Sequence, residues 1–219
     1  MKDWYFTIHS EGTGAYKDRG SRFMAYAFAV SSKEDVDRCL AVVRNAHPKA
    51  RHHAYAYRLG ADGQQYRAQD DGEPSGTAGR PILGQLDRRE LRDVLVVVVR
   101  YFGGTLLGTG GLIQAYREAA SRALDSAAVV TAYLRSEFII RASYGHAGEL
   151  MDVLRRLEFE VLEQSFGESA LFRVAVRRSL AAQKLIELKA VLAGVRTEEA
   201  RAMGDLPGLD IQAAAAYKE

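Results

Sequence analysis

The sequence predicts an α+β protein of two domains, a glycine-rich front and a smaller back. Three observations carry that prediction. Eleven of the twenty glycines lie between Gly60 and Gly111, and Pro48, Pro74 and Pro81 are three of the four prolines, so the unusual backbone is concentrated in the front. Residues 1–135 hold 19 Lys+Arg against 15 Asp+Glu, and residues 136–219 hold 11 against 13, giving net charges of +4 and −2. The back half has its own pattern, whose element order β-α-β-β-α-β is the split ferredoxin-like unit. The boundary falls near Tyr133, which sets domains at 1–133 and 134–204 with a tail over 205–219.

Residues 4–8 and 22–30 read as strands. Ser32 opens a helix with Glu34 and Asp35 in its first turn, where carboxylates suit the positive helix end. Val36, Cys39, Leu40 and Val43 are spaced as its apolar face. Residues 52–59 and 64–68 flank the turn tetrad Gly60-Ala61-Asp62-Gly63 and read as a hairpin. A short helix over about 76–86 follows. Val94 to Val99 form an unbroken β-branched run around Leu95, as in a central strand covered on both faces. Residues 112–128 are alanine-rich, with Leu112, Tyr116, Ala119, Ala123 and Leu124 on one helix face. In the back half, residues 137–142 predict a strand, and Leu150, Val153, Leu154 and Leu157 a helix. Phe172, Val174 and Val176 alternate in a strand after the Gly167 turn. Ala181, Leu185, Leu188 and Leu192 mark a second helix, and a last strand is expected near 195–202.

Composition sets the class. At 219 residues, 47% apolar and 26% charged, the chain is globular. No apolar run approaches the ~20 residues that a membrane helix needs. Met1-Lys2-Asp3-Trp4 opens without the apolar core of a secretory signal, and the single cysteine, Cys39, has no internal partner. The expectation is a soluble, cytoplasmic protein with no membrane contact. A net charge of +2 is too small to name a partner.

Two segments concentrate the chemistry. Asp70-Asp71-Gly72-Glu73-Pro74-Ser75-Gly76-Thr77-Ala78-Gly79-Arg80-Pro81 and Arg100-Tyr101-Phe102-Gly103-Gly104-Thr105-Leu106-Leu107-Gly108-Thr109-Gly110-Gly111 each join a strand to a helix. Exposed amides and a positive helix end can hold an anion at such a junction. Gly103 and Gly108 have the outer spacing of a phosphate-binding loop, but Thr109-Gly110 stands where Lys-Ser/Thr is required. A dinucleotide fingerprint from Gly108 and Gly110 needs glycine at 113, which is Ile113. Both nucleotide motifs therefore fail.

Asp70, Asp71 and Glu73 could hold a hard cation, or could cap a helix and close a turn. Arg100 could pair with one of these carboxylates or grip a phosphate, with Arg80 and Arg117 on the same surface. Tyr101 and Phe102 invite a base-stacking reading, against the commoner role of core or contact aromatics. His52 and His53 sit consecutively on a strand, so their imidazoles point to opposite faces and cannot chelate together. His52 is either a proton-transfer group or a hydrogen-bonded structural histidine. Cys39 reads as buried and inert. No metal and no cofactor is assigned.

These residues resemble the IMPACT/YigZ family. The match runs through Ser21-Arg22-Phe23, Ala50 and His52, Ala54-Tyr55-Ala56-Tyr57-Arg58, the acidic segment from Asp70 to Gly79, Pro81-Ile82-Leu83, Arg100-Tyr101-Phe102-Gly103-Gly104, Leu107-Gly108, and Gly110-Gly111-Leu112-Ile113 with Ala115-Tyr116. Gln114 stands where the family usually has arginine, which removes one cation beside the second glycine loop. The resemblance implies a front domain like that of ribosomal small-subunit protein S-five and a ferredoxin-like back domain, a pair similar to the last two domains of elongation factor G. It also implies a regulator of translation.

The leading expectation is a non-enzymatic binder of RNA or the ribosome. Its surface would gather Arg80, Arg100, Tyr101, Phe102, Gly103, Gly104, Gly110, Gly111 and Arg117, beside the signature loop of Asp70, Asp71, Glu73, Ser75 and Thr77, with His52 as a further polar group. Its rivals are an enzyme acting on a small phosphorylated or nucleotide-like ligand with metal at the acidic loop, and an adaptor for a protein partner.

Overall fold

The computed structural model describes residues 2–204 and 206–214. One compact unit spans Lys2–Ala132, and the second begins at Tyr133. The front unit contains β1 (Trp4–Ile8), β2 (Gly12–Asp18), β3 (Ser21–Ala29), α1 (Lys33–Ala46), β4 (His52–Leu59), β5 (Gln65–Gln69), α2 (Gly79–Arg88), β6 (Val94–Tyr101) and α3 (Gly108–Ser126), and leads into β7 (Val129–Tyr133). Its main sheet has the order β2-β3-β6-β4-β5, and β1 pairs with β7 separately.

The unbroken run from Val94 to Val99 does become the middle strand, with every side chain at 0% exposure. Alternation along β6 divides it between two cores. Val94, Val96 and Val98 face α2 and α3 among Phe23, Ile82, Leu86, Ala119 and Ala123. Leu95, Val97 and Val99 face α1 among Val36, Leu40, Tyr55 and Tyr57. Ser32 Oγ accepts from the Asp35 amide at 3.1 Å and caps α1 as its sequence implies.

β2 has no apolar alternation to announce it. Its two glycines instead let α3 lie directly on the strand: a Cβ at Gly12 would stand 2.1 Å from the Ala123 carbonyl oxygen, and one at Gly14 would stand 2.4 Å from the Ala123 amide nitrogen. The third-helix boundary also moves: α3 begins at Gly108, so Gly110 and Gly111 are its first turn rather than a loop ahead of it.

The back unit holds β8 (Arg135–Ala142), α4 (Tyr144–Arg156), β9 (Glu160–Phe166), β10 (Ala170–Arg177), α5 (Ala181–Ala193), α6 (Thr197–Ala202) and β11 (Leu209–Ala213). Its sheet has the order β11-β8-β10-β9. Ile140, Leu150, Leu154, Phe172, Val174 and Leu188 fill its core. The strand expected near 195–202 is α6 instead. Gly194, at φ +65°, ends α5, and Glu198 and Glu199 occupy the next helix's first turn. The strand that closes the sheet is β11, inside the segment expected to be a tail, where Leu209 and Ile211 alternate with polar residues. Asp205 and residues 215–219 of that tail lie outside the described residues.

Candidate nucleic-acid interface

The two glycine segments meet around one end of the front sheet, and the first is wired to itself. One Asp70 carboxylate oxygen accepts from the amides of Ala78 (3.0 Å) and Gly79 (2.8 Å), and the other accepts from Gly76 (2.8 Å). Burial alone would raise its pKa. The three amides and the Arg80 charge outweigh burial and hold it below the usual carboxylate value. Ala78 has no capping side chain of its own, so Asp70 supplies the anion that the start of α2 attracts.

Asp71 adopts φ +49° and turns its carboxylate back to the His53 amide at 2.7 Å. Its carbonyl oxygen accepts from His52 Nδ1 at 2.8 Å, which fixes the proton of that imidazole on Nδ1. Thr77 is buried, its hydroxyl donating to the Pro74 carbonyl at 2.6 Å, while Ser75 is exposed.

Glu73 reaches inward. Arg100 Nη1 donates to both Glu73 carboxylate oxygens, at 2.7 and 2.9 Å, and the Tyr116 hydroxyl donates to one of them at 2.7 Å. Arg100 is 7% exposed. Its guanidinium also lies 5.6 Å from the ring centres of Phe23 and Phe102. Burial, and then the charge of Glu73, push the Tyr116 hydroxyl far above the usual tyrosine value, so it stays a donor. The expectation of Arg100 on an anion-binding surface is therefore corrected: it is a buried partner of Glu73, because a guanidinium entering this core requires a carboxylate. Tyr116, read from the sequence only as part of an apolar helix face, is the third member of the network.

The second segment is different. Gly103 serves the chain's own packing: its amide donates to Ser21 Oγ at 3.2 Å, and a Cβ there would come within 1.9 Å of the Gly20 backbone. Gly104 and Gly110 face open space, and Gly111 is close only to Leu107. Among the described residues no side chain caps α3, and its first turn carries no acidic residue. The first amides of a helix have no intrahelical acceptor. Arg80, Gln114 and Arg117 are exposed, as are Phe102 (56%) and Leu106 (82%).

Tyr101 and His47 form a polar cluster on the opposite, α1 face of the sheet. His47 is hydrogen-bonded between two hydroxyls, with Nε2 2.7 Å from Tyr26 and Nδ1 3.0 Å from Tyr101. Its carbonyl oxygen lies 3.2 Å from His53 Nε2. Burial lowers the pKa of His53, outweighing the His47 carbonyl and the Asp71 carboxylate nearby. Thus the histidines divide between the two faces as the strand period requires. His47 was not singled out in the sequence, because a histidine after a helix gives no signal of its partners.

A match to the Impact N-terminal domain covers residues 19–124. IMPACT family member YvyE of Bacillus subtilis is 36% identical over 172 residues, 78% of this chain and 79% of that protein. IMPACT family member YigZ of Escherichia coli is 36% identical over 175 residues, 79% of this chain and 84% of that protein. A crystal structure described as that of a hypothetical protein aligns over 99% of this chain and 100% of its own, with a TM-score of 0.74 and 29% identity. The matched domain includes both glycine segments and the Glu73–Arg100–Tyr116 network, and the two relatives align over more than three quarters of the chain: the chain belongs to the IMPACT family.

Proposed function

We propose that this chain is a non-enzymatic, cytoplasmic protein that binds RNA or the ribosome and modulates translation, holding phosphate at the start of α3. The contrast between its two helix starts carries the reading. At α2 the anion is built in, as Asp70; at α3 the first turn has neither a capping side chain nor a carboxylate, and the approach past Gly104 and Gly110 is open. Exposed Arg80 and Arg117 add positive charge on the two helices, and Phe102 offers an exposed ring.

The acidic loop serves the fold in this reading. A metal-dependent enzyme would need Asp70, Asp71 and Glu73 to turn outward, yet their oxygens are engaged by backbone amides, Arg100 and Tyr116. The back unit's sheet order β11-β8-β10-β9, with α6 added between α5 and β11, suits a ferredoxin-like domain and supports the likeness to the last two domains of elongation factor G.

Titration of the full chain against ribosomes and against RNA at rising salt tests the proposal. Phosphate contacts make log K fall linearly with log salt, and Arg117→Glu should lower affinity about tenfold. Absent affinity, or affinity indifferent to salt, overturns it. Thermal shift with nucleotides, with and without Mg²⁺, checks the enzyme reading, which a metal-dependent stabilisation by one ligand would restore.

A further inference from the structure

The α1 face of the front sheet is covered unevenly. α1 packs over β4 and β6, and leaves the end of β2 and β3 open. There Lys17 and Arg22 stand directly opposite each other in antiparallel register, which places both side chains on the same face. Arg22 is in turn opposite Tyr101 of β6. Lys17 and Arg22 are both exposed, and among the described residues neither side chain is hydrogen-bonded to another side chain or paired with a carboxylate. Asp18, the nearest acid in the chain, is in register with buried Ser21, on the other face. Like charges placed directly across a strand pair repel, so this arrangement costs the free protein stability and is relieved by an anion.

Beside these cations is an open cavity of about 480 Å³ lined by Gly20, Arg22, Met24, His47, Tyr101 and Phe102. Its walls suit a flat ring. Phe102 exposes more than half its surface, and the Tyr101 hydroxyl is tied to His47, which fixes the orientation of its ring. Gly20 contributes no side chain. A row of cations bordering an aromatic-lined hollow is the arrangement by which proteins hold single strands: charge tracks the backbone while a ring receives a base.

We propose that this end of the sheet binds single-stranded RNA, with phosphates on Lys17 and Arg22 and one unpaired base in the hollow between Phe102 and Tyr101. The proposal rests on the RNA-binding reading above and extends that surface past Phe102, which both share, to the Lys17 and Arg22 side of the sheet. A duplex offers no free base to the hollow, so single strands are preferred.

The test uses the full chain and a fluorescein-labelled ten-nucleotide oligouridylate. Lys17→Glu replaces a repulsive cross-strand pair by an attractive one with Arg22, so its melting temperature should stay equal or rise while RNA affinity falls at least fivefold. Lys17→Gln with Arg22→Gln should lower affinity at least tenfold and make the salt slope shallower by about 1.4, from two single-strand phosphate contacts. Phe102→Ala should weaken binding at least fivefold without changing that slope.

Wild-type affinity in all three variants, with salt-dependent binding intact in the parent, overturns this site and leaves the wider reading standing. No binding by the parent overturns both. Inorganic polyphosphate competing as well as RNA, with Phe102→Ala silent, reduces the site to charge and overturns the base pocket.

Discussion

Glu73 neutralises a cation that the fold has already buried. With Arg100 held by both carboxylate oxygens and Tyr116 on one of them, Glu73→Gln leaves a guanidinium in the core without its counter-charge. Urea unfolding at pH 7 should show a loss of about 3 kcal/mol. Tyr116→Phe removes one hydrogen bond to a charged group and should cost about 1.5 kcal/mol. The two effects should not add, since both act on one carboxylate. Asp70 makes the pH dependence. Its folded pKa is depressed, so its stabilisation is fully present above the unfolded carboxyl value of about 3.9 and is lost as pH falls through the lower folded value. Asp70→Asn should lower stability at pH 7 and flatten that acid limb in a denaturation series from pH 6 to 2. The sequence showed that Arg100 had two outcomes, a carboxylate or a phosphate. It could not choose, because burial of residue 100 depends on what packs over the end of β6.

Helix starts and close strand contacts decide the element scale. Gly14 lies under α3, so Gly14→Ala should destabilise by about 3 kcal/mol through overpacking, or shift the helix. Gly110 sits in the first turn of the same helix with nothing near its missing side chain, and Gly110→Ala should leave melting unchanged or raise it by a few degrees. If it also weakens RNA binding, the open approach to α3 is used by ligand. Closure of the back sheet is the other test. β11 pairs with β8 through Leu209 to Ala213, so a chain ending at Met203 loses that pairing, and thermal denaturation should show the back unit's transition weakened or lost. β11 was missed because a short alternating strand after a proline and two glycines resembles a tail until its partner is known. β2 was missed for the opposite reason: its glycines are there for a helix, and only the helix explains them.

At the scale of the whole molecule, the front unit contains both of its apolar cores within Lys2–Ala132. A fragment of residues 1–133 should therefore unfold cooperatively by itself, as followed by circular dichroism. Local pattern determined a good deal by itself: two α+β parts, the buried β-branched centre, the cap of α1, the histidines on opposite faces and the two glycine segments that matter. Each is a property of neighbours in the chain, set by strand and helix periods, capping chemistry and backbone freedom. Tertiary structure alone decided which helix start meets a side-chain anion, because Asp70 answers α2 and, among the described residues, no carboxylate answers α3. It also decided that Arg100 turns inward to Glu73 and Tyr116, and that Lys17 meets Arg22 across two strands. Those outcomes depend on groups distant in sequence, whose mutual distance, and hence whose charge and solvation, exists only once the chain has folded.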